Sequence, residues 1–70
     1  QGMRDVRRLI NGLPEDQREV VIMRHYAGMS FKEIADMTGV SINTALGRMR
    51  YALINMRKIM TEKNITLSIS

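Results

Sequence analysis

The stretch from Ser30 to Lys58 predicts two capped helices that are separated by a tight turn. Ser30 followed three residues later by Glu33 has the pattern of a capping box, which favours the start of a helix. Gly39 falls where the chain must reverse, and glycine adopts the positive φ of such a turn without steric cost. Ser41 is a suitable N-cap for the helix that follows. This order of elements predicts a helix-turn-helix motif.

The apolar residues of these two helices predict which sides face a core. In the first helix we expect Ile34, Ala35 and Met37 to be buried, and the small Ala35 allows the second helix to approach closely. In the second helix apolar residues recur at alternating spacings of three and four, which indicates one buried stripe. The stripe consists of Ile42, Ala45, Met49, Ala52, Met56 and Ile59.

The other side of the second helix is polar and basic. It carries Asn43, Thr44, Gly47, Arg50, Tyr51, Ile54, Arg57 and Lys58. Between Ile42 and Lys58 there are four basic residues and no acidic residue, whereas acidic and basic groups balance in the rest of the chain. The formal net charge of +4 therefore lies on this helix. A basic outer face on the second helix of such a motif predicts docking in the major groove of DNA.

Length and composition exclude several classes of protein. With 70 residues, the chain is predicted to be one small domain, and the absence of cysteine rules out disulfides and thiolate zinc sites. No apolar run approaches the roughly 20 residues of a membrane span, and no signal peptide is visible. A pI near 10.1 favours anionic partners, with nucleic acid first and a membrane surface second.

Two further helices are predicted before the motif. The first runs from Met3 to Asn11, and the second follows Leu13 and reaches about Tyr26. Pro14 suits the first helical position, and Val21 with Ile22 are the core candidates of this second helix.

The last helix is expected to continue to about Glu62, and residues 64–70 to form a frayed tail. Because the chain begins at Gln1 rather than methionine, we expect a fragment or processed chain in which residues 1–2 derive from a vector. The prediction is a compact all-α domain over residues 1–70, with four helices, a helix-turn-helix and no winged element.

Catalytic machinery is not apparent in the sequence. Paired carboxylates, a nucleophile with a base and a glycine-rich phosphate loop are all missing, so we expect neither an enzyme nor a cofactor. The single His25 is interpreted as a helix residue rather than a metal ligand. Asp16 and Glu19, with Arg18 nearby, are interpreted as surface charge. The seven methionines are interpreted as core residues, since methionine fills irregular gaps.

An ordered set of short motifs resembles the C-terminal domain, region 4, of bacterial sigma factors, in particular the extracytoplasmic-function group. The motifs are Leu13-Pro14 with Arg18, Gly28-Met29-Ser30, Glu33-Ile34-Ala35, Gly39, Ser41, Thr44 and Arg48-Met49. The resemblance extends from Leu13 to Arg57. Two departures are Ala45, where the family usually has valine, and Tyr51, where it often has arginine.

The resemblance implies a four-helix fold that recognises the minus-35 promoter element and directs transcription initiation by RNA polymerase in the bacterial cytoplasm. It also implies docking on the flap of the polymerase β subunit and capture by an anti-sigma factor. A preceding N-terminal domain would bind polymerase and open the minus-10 region.

The resemblance also implies which residues contact DNA. Carried over position by position, the candidates on the last helix are Ser41, Asn43, Thr44, Leu46, Gly47, Arg48, Arg50 and Tyr51. Phosphate contacts are expected from Lys32, Arg48, Arg57 and Lys58, and these would position the domain without reading sequence. Arg50 is the candidate for bidentate contact with guanine.

Two other interpretations stay open from the sequence. A helix-turn-helix regulator of the response-regulator type shares the Glu33-Ile34-Ala35 run, although its last helix usually ends differently. A helical bundle that binds protein would use Leu46, Tyr51 and Ile54 as an apolar patch. Salt separates the classes, since DNA binding weakens steeply with salt whereas an apolar interface need not.

Overall fold

The computed structural model describes the backbone of residues 2–62 and the side chains of residues 6–62. Four α-helices follow one another, with no strand in the part that the structure describes, which confirms the all-α prediction. The helices are α1 (Gly2–Asn11), α2 (Glu15–Val21), α3 (Phe31–Thr38) and α4 (Ile42–Glu62). Residues Ile22–Tyr26 extend α2 as a π-helical turn. The predicted tail, residues 64–70, lies outside the described residues.

The start of α2 corrects the prediction for Pro14. Proline is the N-cap rather than the first helical residue, because its ψ of 154° is extended, and the helix begins at Glu15. The Pro14 carbonyl accepts the first helical hydrogen bond from the Arg18 N–H at 2.9 Å, as an N-cap carbonyl does. Glu15 and Asp16 occupy the first turn, where negative charge complements the helix dipole. Towards the other end of the chain, the prediction that α4 continues beyond Lys58 as far as Glu62 is confirmed.

The core consists of two apolar clusters on either side of Met49. One cluster joins α1, α2 and α4, and its buried members are Ile10, Leu13, Val21 and Ala52. The other joins α2, α3 and α4, and its buried members are Val20, Ile34, Ala35 and Ala45. Met49 packs against both clusters, so α4 is the helix that all the others share. Alanine at two central positions of α4 lets the neighbouring helices approach it closely.

The predictions that Ile22 and Met37 are buried are wrong. Each residue lies at an angle on its helix that points away from the core. Successive residues of an α-helix are turned by about 100°. Val20 and Val21 are buried and each faces one cluster, so Ile22 is carried round to the surface. In α3 the buried face is formed by Ile34 and Ala35, and Met37 lies two residues beyond it with 70% of its surface exposed.

Ile42 is a third correction. It was predicted to belong to the buried stripe of α4, yet 45% of its surface is exposed. Ile42 is the first residue of α4, and the centre of the buried stripe passes through Ala45 and Ala52, which are fully buried. The remaining apolar members of the stripe, Met49, Met56 and Ile59, pack on the core as predicted.

The capping predictions for the helix-turn-helix are confirmed. The Ser30 N–H donates to the Glu33 carboxylate at 2.8 Å, and the Ser30 hydroxyl accepts from the Glu33 N–H at 3.1 Å. The bond from the Ser30 backbone, and then the interaction with the Ser30 hydroxyl, lowers the pKa of Glu33 below its ordinary value. Gly39 ends α3 in the left-handed region with φ of 70°, and its N–H donates to the Ala35 carbonyl.

Arg24 holds the loop that leads into the motif. Its guanidinium donates to the Met29 carbonyl at 2.9 Å and lies 4.9 Å from the centre of the Phe31 ring, in cation–π geometry. Gly28, between them, has φ of 66°, which reverses the chain after the π-helical turn. The loop therefore sets the angle at which α3 leaves α2.

Candidate DNA-binding surface

Most of the predicted contact residues lie along the solvent side of α4. Of the eleven, nine are exposed in the structure and two, Gly47 and Arg48, are half-buried. The exposed ones are Lys32, Ser41, Asn43, Thr44, Leu46, Arg50, Tyr51, Arg57 and Lys58. Lys32 is on α3, Ser41 precedes α4, and the others belong to α4, which at about 1.5 Å per residue spans about 30 Å. We name the exposed polar and basic side of α4 the basic face.

The start of α4 is organised by two hydroxyl groups. The Ser41 hydroxyl accepts from the Thr44 N–H at 3.1 Å, which confirms Ser41 as the cap. The same Ser41 hydroxyl donates to the Thr44 hydroxyl oxygen at 3.0 Å. Because the Thr44 hydroxyl oxygen accepts this bond, the Thr44 hydroxyl proton can be donated to a further acceptor, such as a phosphate oxygen.

Arg48 is held by a partner that sequence reasoning missed. Its Nε lies 3.7 Å from Oδ2 of Asp16 on α2, in a side chain that is only 26% exposed. The separation is too long for a hydrogen bond, so the contact is electrostatic. Asp16 was interpreted as surface charge, and nothing in the sequence links two residues so far apart in the chain.

A second polar contact between the same helices was also missed. The Asn55 side-chain amide donates to the Gln17 side-chain oxygen at 2.7 Å across a separation of 38 residues. Gln17 is next to Asp16, so the first turn of α2 contacts α4 at two points, two turns of α4 apart. The buried stripe of α4 sets the rotation of this helix about its own axis, and the two polar contacts form where that packing brings α2 and α4 together.

The rest of the basic face carries unopposed positive charge. Arg50, Arg57 and Lys58 form no ion pair with any carboxylate of the described residues. Arg50 and Asn43 carry the two side-chain types that contact guanine and adenine bidentately in the major groove. The face can therefore neutralise phosphates and also read base edges.

Gly47 lies within the basic face, and packing against neighbouring residues does not require a glycine at this position. A Cβ built on Gly47 meets no atom within 4 Å. Glycine inside a helix costs about 0.8–1.0 kcal/mol relative to alanine, so we expect Gly47→Ala to raise stability by about that amount in thermal and urea unfolding.

The control for this prediction is Gly39→Ala, which also places its Cβ in open space but at φ of 70°. It should lower stability by about 1–2 kcal/mol, because left-handed backbone is strained for alanine. A Gly47→Ala variant no more stable than the parent would contradict the prediction.

If Gly47 lies against DNA, Gly47→Gln should keep most of the stability gain and lose DNA affinity.

An apolar groove lies beside the basic face. We use this name for two neighbouring cavities of about 230 and 250 Å³ that share Ile10. One is lined by Val6, Ile10, Val21, His25, Met49, Leu53 and Met56, and the other by Arg7, Ile10, Asn11, Ile22 and Tyr26. Leu53, Ile22 and Tyr26 are exposed, and the exposed His25 packs edge-on against the Tyr26 ring.

The fold and the basic face define a helix-turn-helix domain that binds DNA. Residues 3–53 match the family described as "Sigma-70, region 4", which is more than half of the chain. The chain therefore belongs to the sigma-70 region 4 family. No curated protein matches the sequence.

Membership of this family makes the chain a promoter-binding domain of a sigma factor, which acts with RNA polymerase in transcription initiation, and not a catalytic domain. It favours the sigma-factor interpretation over a regulator of the response-regulator type. Within the described residues, no helix is long and apolar enough to cross a lipid bilayer.

Proposed function

We propose that this domain recognises the minus-35 promoter element as region 4 of an extracytoplasmic-function sigma factor in the bacterial cytoplasm. The observation that carries the proposal is the basic face of α4, the second helix of the motif. There Arg50, Arg57 and Lys58 are exposed without a described acidic partner. Helices in this position of a helix-turn-helix lie in the major groove.

The structure supports different roles for the basic side chains. Arg50 lies near the middle of α4 and, with Asn43 two turns earlier, would contact base edges. Arg57, Lys58 and Lys32 would contact phosphate. Arg48 contributes charge from a half-buried position, where Asp16 orients it.

We expect Arg50→Ala to weaken binding to a minus-35 duplex by about 1–3 kcal/mol and to relax the preference for one base pair. Arg57→Ala should weaken binding to the minus-35 and scrambled duplexes alike, and should reduce the salt slope by about one. Both residues are exposed on the same helix, so each variant is the control for the other. Fluorescence anisotropy with the two duplexes measures the difference.

The minus-35 assignment would fail if the parent chain bound the minus-35 and scrambled duplexes equally well. The assignment of Arg50 as a base reader would fail if Arg50→Ala lost the same affinity on both duplexes. Circular dichroism on each variant establishes that the fold is retained.

The polymerase partner is proposed to be the β flap, bound in the apolar groove. The groove exposes Leu53, Ile22 and Tyr26, and no residue of the basic face lines it, so DNA and polymerase could be bound together. An anti-sigma factor that covered either surface would block initiation, and such capture stays a prediction of the resemblance.

We expect Tyr26→Ala and Leu53→Ala each to weaken binding of the chain to an isolated β flap by about 1–2 kcal/mol, because each removes exposed apolar surface that binding would bury. Surface plasmon resonance is the measurement. Arg57→Ala, on the basic face, is the control and should leave flap binding unchanged. If Arg57→Ala removed flap binding and the groove variants did not, the flap would be assigned to the wrong surface.

A further inference from the structure

Two apolar side chains near the start of α4 are exposed although the same helix has a well-covered apolar side. Ile42 and Leu46 keep 45% and 43% of their surface exposed, whereas Ala45, between them in sequence, is fully buried. They are four residues apart and so lie next to each other on the helix surface. Neither belongs to the core clusters or lines the apolar groove.

The neighbours of Leu46 place this apolar pair within the basic face. Asn43 lies three residues before Leu46 and Arg50 four residues after it, and both positions adjoin Leu46 on the helix surface. Asn43 and Arg50 are exposed and are the two side chains suited to read adenine and guanine. A helix that brings them to base edges also brings Leu46 close to the floor of the major groove, with Ile42 packed beside Leu46 on the side nearer the core.

The major groove presents one apolar group, the C5-methyl of thymine. We propose that Leu46, supported by Ile42, reads thymine through this methyl group and so determines part of the promoter preference. The inference rests on the proposed DNA function and adds the chemical class of base pair that this pair selects. The apolar contact would discriminate thymine from every base that lacks the methyl group.

The test removes the methyl group from the DNA rather than from the protein. The preferred duplex of the parent chain is first selected from a randomised pool at low salt. Each thymine of that duplex is then replaced by deoxyuridine, one at a time, and affinities are measured by fluorescence anisotropy. We expect at least one replacement to weaken binding by about fourfold, the amount that burial of one methyl-sized group is worth.

Leu46→Ala should weaken binding to the thymine duplex and make the chain insensitive to that same deoxyuridine. Met37→Ala is the control, because Met37 is an exposed apolar residue of α3 that belongs neither to the basic face nor to the apolar groove. It should keep the full preference for thymine over deoxyuridine. Because Leu46 is exposed, its variant is expected to fold, and circular dichroism checks this.

Equal affinity of the parent for all thymine and deoxyuridine duplexes would overturn the inference while leaving DNA binding intact. A Leu46→Ala variant that keeps the thymine preference would also overturn the inference. The exposed Ile42 and Leu46 would then be candidates for contact with a protein partner. Failure of the proposed function looks different, since the parent chain would then bind no duplex in a salt-dependent way.

Discussion

The affinity of this domain for duplex DNA is expected to fall about 60- to 1,000-fold when salt rises from about 50 mM to about 200 mM. Four or five neutralised phosphates give a slope of about −3 to −5 for the logarithm of affinity against the logarithm of salt concentration. The basic groups available are Arg50, Arg57, Lys58 and Lys32, together with Arg48, whose charge Asp16 offsets in part. Anisotropy titrations at several salt concentrations measure the slope.

Arg7→Ala is the control for this titration. Arg7 is exposed on α1 and lines the apolar groove rather than the basic face, so its loss should leave the slope unchanged. Binding that did not respond to salt would contradict the electrostatic basis of the interaction and would favour the protein-binding interpretation of the surface.

Ile34→Ala is expected to destabilise the domain by about 2–5 kcal/mol in urea or thermal unfolding. Ile34 has 0% of its surface exposed and lies in the cluster that joins α3 to α2 and α4. Shortening its side chain leaves a cavity that the surrounding helices fill only in part. Because a domain of this size has a small core, the loss is large relative to its total stability.

Met37→Ala is the matched control, since it removes a side chain of similar size from the same helix. Met37 is 70% exposed, so the change in stability should lie within about 0.5 kcal/mol of zero. Equal destabilisation by the two variants would mean that α3 is rotated relative to the structure described above. The two variants therefore test both the size of the destabilisation at Ile34 and the finding that Met37 lies outside the core.

Local sequence determined the helix-turn-helix because its signals act over a few residues. The capping box of Ser30 and Glu33, the left-handed Gly39 and the Ser41 cap each depend on hydrogen bonds or backbone angles within one turn. The concentration of basic residues in α4 is likewise a property of the chain itself. For that reason the fold class and the helix that carries the basic face were both predicted without coordinates.

Periodicity was less able to identify the edges of each buried face. A helix turned by a few tens of degrees buries a different neighbour, and the sequence of one helix does not state where the others lie. Ile22, Met37 and Ile42 were misassigned for this reason, and each lies at the margin of a face whose centre was predicted correctly.

The orientation of α4 about its own axis depends on contacts between helices that are distant in the chain. The contacts of Asp16 with Arg48 and of Gln17 with Asn55 join α2 to α4 across long separations in the chain. Residues so distant meet only after the apolar clusters have packed the helices together. The direction of the basic face, the exposure of Leu46 and the shape of the apolar groove are therefore consequences of packing between helices, because no local hydrogen bond or backbone preference encodes them.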